Sequence, residues 1–363
     1  MLSIKSSESS RNLVDNFIGE REFECEPRAN PFKNLGEEDV FPLVSNGNLV
    51  YSYIPKVNHY FFSKVPNNKF FNDYYLNHWC KSENKINKKS YLSNLKSFST
   101  SFLPSWKDAY GKSDMIFNKN SPLKMWLSTL DKIQSAIGIK NKSFINNWNH
   151  CFIHGQYDLF KSFFLYRPYL KKDSIIFDLG GGDGSFLQPY IDNGFECYLL
   201  EPCPITAERA KLRGINVINC NLESQDDKDR ISQIISKSDL IISNHSLEHH
   251  FDPNNLFNLC NKNMKEDSIL GITVPNADTS FLFMDHVFPL HLDNYTEFSL
   301  TALANNHGFN VLQKEISHQL RFVFSKKYNL GCRDKINFNT KITKANFSEK
   351  YQNWFIKTDK DEV

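Results

Sequence analysis

Residues 175–201 read IIFDLGGGDGSFLQPYIDNGFECYLLE, and the rest of the chain is read outward from them. Ser174 to Phe177 is a short apolar run of the kind that forms a buried strand. Asp178 ends it. Gly180, Gly181, Gly182 and Gly184 then make a turn that few side chains could enter, because glycine lets the backbone bend tightly and approach a ligand closely. Phe186 to Ile191 begins a helical pattern, and Glu196 to Leu200 is a second strand-like run that stops at Glu201. The two acids lie 23 residues apart (201 − 178). The unit is a strand, a glycine turn, a helix whose N-terminus presents free N–H groups, and a second parallel strand ending in a carboxylate. In nucleotide-binding α/β units an acid about 20 residues past the turn holds a ribose diol.

Two ligands fit this geometry, a dinucleotide and S-adenosylmethionine. A carboxylate just before the first glycine would repel a pyrophosphate, but it can receive an ammonium group. The pattern D-x-G-x-G-x-G (Asp178, Gly180, Gly182, Gly184) resembles motif I of the class I S-adenosylmethionine-dependent methyltransferases, with Glu201 as the ribose-binding acid.

At 363 residues the chain can hold one large or two moderate domains. A net charge of +2 and a 40% hydrophobic content describe a globular protein without a basic excess for nucleic acid. The N-terminal MLSIKSSESSRN has no apolar core of a signal peptide, and no apolar run reaches membrane-spanning length. Cys25, Cys80, Cys151, Cys197, Cys203, Cys220, Cys260 and Cys332 form no C-x-x-C pair, which leads to an expectation of reduced thiols in the cytoplasm.

Residues 1–170 read as an N-terminal lid or acceptor-binding region, 171–326 as the α/β domain and 327–363 as a tail. Aromatics crowd between Tyr51 and Trp79 (Tyr51, Tyr53, Tyr60, Phe61 and Phe62 among them) and are expected to form the core of a mostly helical unit. Further helices are expected at Trp126–Ile137 and from Trp148 to Tyr166, and Trp354 and Phe355 are expected to dock a terminal helix. From Lys172 strands and helices alternate, which implies a parallel sheet with right-handed crossovers. Asn310–Ile316 and Leu320–Phe324 are too close in sequence for a parallel crossover, so the last strand must be antiparallel. The expected fold is a Rossmann-like, seven-stranded mixed sheet.

Ligands of such sheets bind at the carboxyl ends of the strands. There the segment Ser243-Asn244-His245-Ser246-Leu247-Glu248-His249-His250-Phe251-Asp252-Pro253 resembles the S-x-x-x-L-E-H-x-x-D-P segment of the ubiquinone-type, sugar and natural-product methyltransferases. His291-Leu292-Asp293-Asn294-Tyr295-Thr296, with Leu300, Leu303, Gly308 and Phe309, resembles the same group's H-x-x-x-F-T…L…GF segment. Together the likeness spans about residues 170–325. It implies an enzyme transferring a methyl group from S-adenosylmethionine to oxygen or carbon of a small molecule, with S-adenosylhomocysteine as product. Asp178, Gly180, Gly182 and Gly184 would hold the methionine part, and Glu201 the ribose. Asn221 and Leu222 would lie against adenine, and Asn244 and His245 would line the methyl-donor end.

A hydroxyl or carbon-acid acceptor is helped by a general base, and histidine is the usual choice near neutrality. His291 is the first candidate, followed by His249, His245 and His286; fixing the loop by hydrogen bonding is an equal alternative for His291. His245-x-x-Glu248-His249 with His291 also resembles the metal-binding E-x-x-E-H…H set of small-RNA 2′-O-methyltransferases, with His245 in place of the first Glu. A divalent metal is not the expected state, because Glu248-His249 also occurs in this group without one. Two competing readings are a metal-assisted RNA 2′-O-methyltransferase and a non-catalytic partner protein that keeps the fold. The expected partner is a small-molecule acceptor, with neither membrane nor nucleic acid.

Overall fold

The computed structural model describes residues 2–4, 24–46, 49–74, 162–163, 165–222, 224–278, 290–327 and 355–357. The N-terminal part forms β1 (Leu2–Ile4), β2 (Cys25–Pro27), β3 (Phe41–Asn46), β4 (Leu49–Ile54), β5 (His59–Pro66) and the short helix α1 (Asn68–Asp73). β3, β4 and β5 pair antiparallel in succession. The aromatics from Tyr51 to Phe62 therefore lie on strands, where a mostly helical unit was expected, and Phe70 and Phe71 lie on the helix α1. The strand side chains follow period two: Tyr51 stands opposite Phe62 and Tyr53 opposite Tyr60, all in one core cluster with Phe70 and Phe71. Ile54 and Phe61 belong instead to the core of the second half. One sheet face thus packs the aromatics on each other, and the opposite face joins the rest of the chain. The helices expected at 126–137 and through 148–161 lie outside the described residues.

The second half runs β6 (Ile175–Leu179), α2 (Gln188–Asp192), β7 (Glu196–Leu200), α3 (Pro204–Leu212), β8 (Asn216–Ile218), α4 (Lys228–Lys237), β9 (Leu240–Asn244), α5 (Asn254–Asn263) and β10 (Ile269–Pro275). After these come β11 (Asp293–Asn294), α6 (Glu297–Asn306), β12 (Asn310–Ile316) and β13 (Gln319–Ser325). The strand order is β12-β13-β10-β9-β6-β7-β8. β6 to β10 run parallel, and β13 lies antiparallel between β10 and β12. This is the mixed seven-stranded sheet that the β/α alternation and the short last connection predict. The central strands are apolar along their length because helices cover both faces. α4 shows how they dock: Ile231, Ile234 and Ile235 are its buried residues, one stripe of a 3.6-residue period.

β6 has β7 on one side and β9 on the other, so the chain leaves the centre in one direction and returns in the other. The crevice at the carboxyl ends of β6 and β9 is the switch point where open α/β sheets bind ligands. The N-terminal sheet reaches this same end. One edge of β5 pairs with β2 and with β11, which follows the loop after β10. Phe355–Lys357 is a strand, β14, antiparallel to β1, where a terminal helix was expected for Phe355. Among the described residues no helix is long and apolar enough to cross a membrane. Cys203 is disulfide-bonded, against the expectation of reduced thiols, whereas Cys25, Cys197, Cys220 and Cys260 are free.

Candidate active site

The turn after β6 has the shape its glycines allow. Gly180, Gly182 and Gly184 have φ of 80°, 60° and 72°, the left-handed region that side chains disfavour. A Cβ on Gly180 would stand 2.4 Å from Ser246 Oγ, so the turn and the loop after β9 pack directly on each other. A Cβ on Gly182 would meet nothing within 4 Å among the described residues.

Two carboxylates flank this turn. Asp178, in β6, is fully buried, and neither of its oxygens has a hydrogen-bond partner among the described residues. Burial first, and the nearby Glu201 second, push its carboxyl up to about 8. Glu201 directly follows β7. It accepts from Gly182 N at 2.9 Å, Cys203 N at 2.8 Å and Thr206 Oγ1 at 3.0 Å. Three donors therefore hold Glu201 against the glycine turn, and burial still outweighs them and raises its carboxyl. Thr206 and Cys203 are supporting residues that the sequence reading missed; the only trace was a hydroxyl residue in the first turn after Glu201-Pro-Cys-Pro.

Asn221 and Leu222 follow β8, which pairs with β7 beside Glu201. Asn221 is exposed, and Leu222 packs against the core. Asn244 ends β9 opposite Thr273 of β10. His245 follows at φ 49°, a left-handed non-glycine residue of the kind that clusters at functional sites. Its backbone N–H donates to Thr273 O at 2.9 Å. Arg321 Nη2 donates to Gln319 Oε1, which orients that amide to donate from Nε2 to His245 Nε2 at 2.9 Å. His245 Nδ1 then faces Glu248 Oε1 at 3.4 Å. Neither Gln319 nor Arg321 was singled out in the sequence, since both lie on the last strand.

Glu248 and His249 sit in a short 3-10 turn, Leu247–His249, and His291 comes from the loop after β10. The structure brings these three together: one ligand-type atom of each lies within 4.8 Å of the others. The His249 and His291 rings meet edge to face at 4.8 Å, and His249 Nδ1 lies 2.8 Å from Leu290 O. Glu248 is 1% exposed. Burial pushes its carboxyl up, but the imidazoles of His245, His249 and His291 outweigh it and hold the group at about 2. His286 lies outside the described residues.

Arg28 locks both loops in place. Its guanidinium donates to Phe251 O at 2.7 Å and His250 O at 3.1 Å in the loop after β9. It also donates to Leu292 O at 3.1 Å and pairs with the carboxylate of Asp293. His59 Nε2 meets the same carboxylate at 3.0 Å, and Asp293 and His59 are buried with Arg28. No local signal could have exposed this set, because Arg28 and Asp293 are 265 residues apart.

Residues 152–314 match a family model described as a methyltransferase domain. No curated protein matches the sequence. Among solved structures, the mitomycin 7-O-methyltransferase MmcR aligns at 21% identity and TM-score 0.36, over 42% of this chain and 49% of its own. This chain thus spans about half the length of that protein. A 1,6-didemethyltoxoflavin-N1-methyltransferase of Burkholderia thailandensis aligns at 15% identity and TM-score 0.38, over 47% and 78% of the two chains. A SAM-dependent methyltransferase of Archaeoglobus fulgidus aligns at 19% identity and TM-score 0.38, over 45% and 91%. Motif, strand order and family model coincide on one segment, and over residues 152–314 this chain is similar to a methyltransferase domain.

Proposed function

We propose that this protein transfers a methyl group from S-adenosylmethionine to an oxygen or carbon of a small molecule. The observation that carries the reading is the buried carboxyl of Asp178, which lies against Gly181 of the glycine turn and has no hydrogen-bond partner among the described residues. A buried acid without a donor is costly, and the ammonium of a methionine moiety is a fitting counter-group. Glu201 is already oriented by three donors and keeps lone pairs for ribose hydroxyls. Asp178, Gly180, Gly182, Gly184 and Glu201 would bind the cofactor, with Asn221 and Leu222 toward the base and Asn244 and His245 toward the methyl-donor end. The bound cofactor supplies an activated methyl on a sulfonium. The chain's own task is to align the acceptor with that methyl, because alignment supplies much of the rate.

In this reading residues 171–326 are the transfer domain, residues 1–170 form the acceptor side and residues 327–363 are a tail. His245, His249 and His291 are the groups that meet the acceptor. The hydrogen bonds from Arg28 to the loops that carry His249 and His291 support this division.

Calorimetric titration of S-adenosylmethionine and S-adenosylhomocysteine into the full chain tests the reading. Saturable micromolar binding that is lost in Glu201→Ala and Asp178→Asn is expected. Wild-type protein that takes up neither compound overturns it.

A further inference from the structure

We infer that Glu248, His249 and His291 form a site for one divalent transition-metal ion. Their ligand atoms lie within 4.8 Å of one another. Atoms at the corners of such a triangle are at most about 2.8 Å from its centre, against roughly 2.0–2.2 Å for metal–imidazole and metal–carboxylate bonds. Rotations of well under about an ångström per ligand close that gap, within what side chains do on binding.

The surrounding contacts are those a metal site needs. His249 Nδ1 lies at hydrogen-bond distance from Leu290 O, so it carries the proton and leaves Nε2 as the electron-pair donor. The Arg321–Gln319–His245 chain fixes the other side: with Nε2 accepting from Gln319, the Nδ1–H of His245 points at Glu248 Oε1. At 3.4 Å that is an electrostatic contact, and neither oxygen of Glu248 accepts a hydrogen bond among the described residues. A fully buried carboxylate with no hydrogen-bond donor among the described residues has lone pairs free to take a metal cation. Two imidazoles and one carboxylate suit Mn(II), Fe(II) or Zn(II).

His249 and His291 are only partly buried, so an ion held here would keep positions open to water or to an oxygen of the acceptor. This last step rests on the proposed function and deepens it. The acceptor atom is then an oxygen, and the metal lowers the pKa of its hydroxyl. His291 becomes a ligand in place of the general base expected from the sequence.

The test uses the full chain stripped with a chelator and titrated with MnCl2 and ZnCl2. Calorimetry gives affinity and stoichiometry, and the electron paramagnetic resonance of Mn(II) reports the bound ion. One ion per chain is expected, with affinity more than about 100-fold weaker in Glu248→Gln and in His291→Ala. The two variants lie on different loops, so a folding defect in one leaves the other as the test. Wild-type protein that binds no metal, or binding that both variants retain, overturns the site. Titrating S-adenosylmethionine into the same samples separates the two proposals. Metal uptake without cofactor uptake supports the site and overturns only the function, and cofactor uptake without metal does the reverse.

Discussion

Asp178 is a residue whose chemistry lies far from its ordinary state. Its carboxyl is pushed up to about 8 by burial and by Glu201, whereas an unfolded chain would titrate it near pH ~3.9. Between those values the folded protein holds a proton that the unfolded chain has released. Stability must therefore fall as pH rises from about 4 to about 8, by up to about 1.4 kcal/mol per pH unit from this group, and level off above. Asp178→Asn removes the slope, so the variant is more stable than wild type at pH 8 in urea denaturation. The same proton marks cofactor binding. An ammonium partner stabilises the charged carboxylate, so uptake of S-adenosylmethionine at pH 7 expels close to one proton. Calorimetry of the wild-type chain in two buffers of different ionisation enthalpy measures that release, and equal heats in the two buffers would exclude Asp178 as its source.

At the scale of elements, the glycine turn and the loop after β9 act as one unit. Gly180 has φ 80° and stands under Ser246. Gly180→Ala meets both a left-handed penalty and a clash, and is expected to cost about 1–3 kcal/mol. Adding Ser246→Gly recovers the clash and leaves the backbone penalty, which denaturation of both variants separates. This unit was largely legible in the sequence, because strand, glycine run, helix and acid follow within one short segment and each leaves a local mark. The N-terminal sheet was not read as such. Tyr51 and Tyr53, like Tyr60 and Phe62, are spaced by two, the strand period, but the density of rings in this stretch hid that alternation. The contacts that orient the candidate site were out of reach altogether. Gln319 meets His245 across 74 residues, and a pairing of that span has no local pattern.

At the scale of the whole molecule, one ionic cluster ties the edge of the N-terminal sheet to the loops after β9 and β10. Arg28 follows β2 on the edge of β5, and Asp293 begins β11 on the same edge, with His59 at the start of β5 completing the set. Thr296, the N-cap of α6, adds a second tie by donating to Asn58 O at 2.8 Å. Because Arg28 also holds the carbonyls of His250, Phe251 and Leu292, the relative position of Glu248, His249 and His291 depends on a residue of the N-terminal region. Breaking a buried pair strands the surviving charge, so Arg28→Ala and Asp293→Ala should each destabilise the chain by about 3–5 kcal/mol. An apolar pair, Arg28→Met with Asp293→Leu, strands no charge and should recover much of that loss. The double variant still lacks the donors to the three carbonyls, so its loops are no longer tied. It should regain thermal stability without regaining Mn(II) affinity, a split that melting curves and metal titration of the same sample would show. If affinity returned with stability, the two loops would be held by packing alone, and Arg28 would serve the fold and not the site.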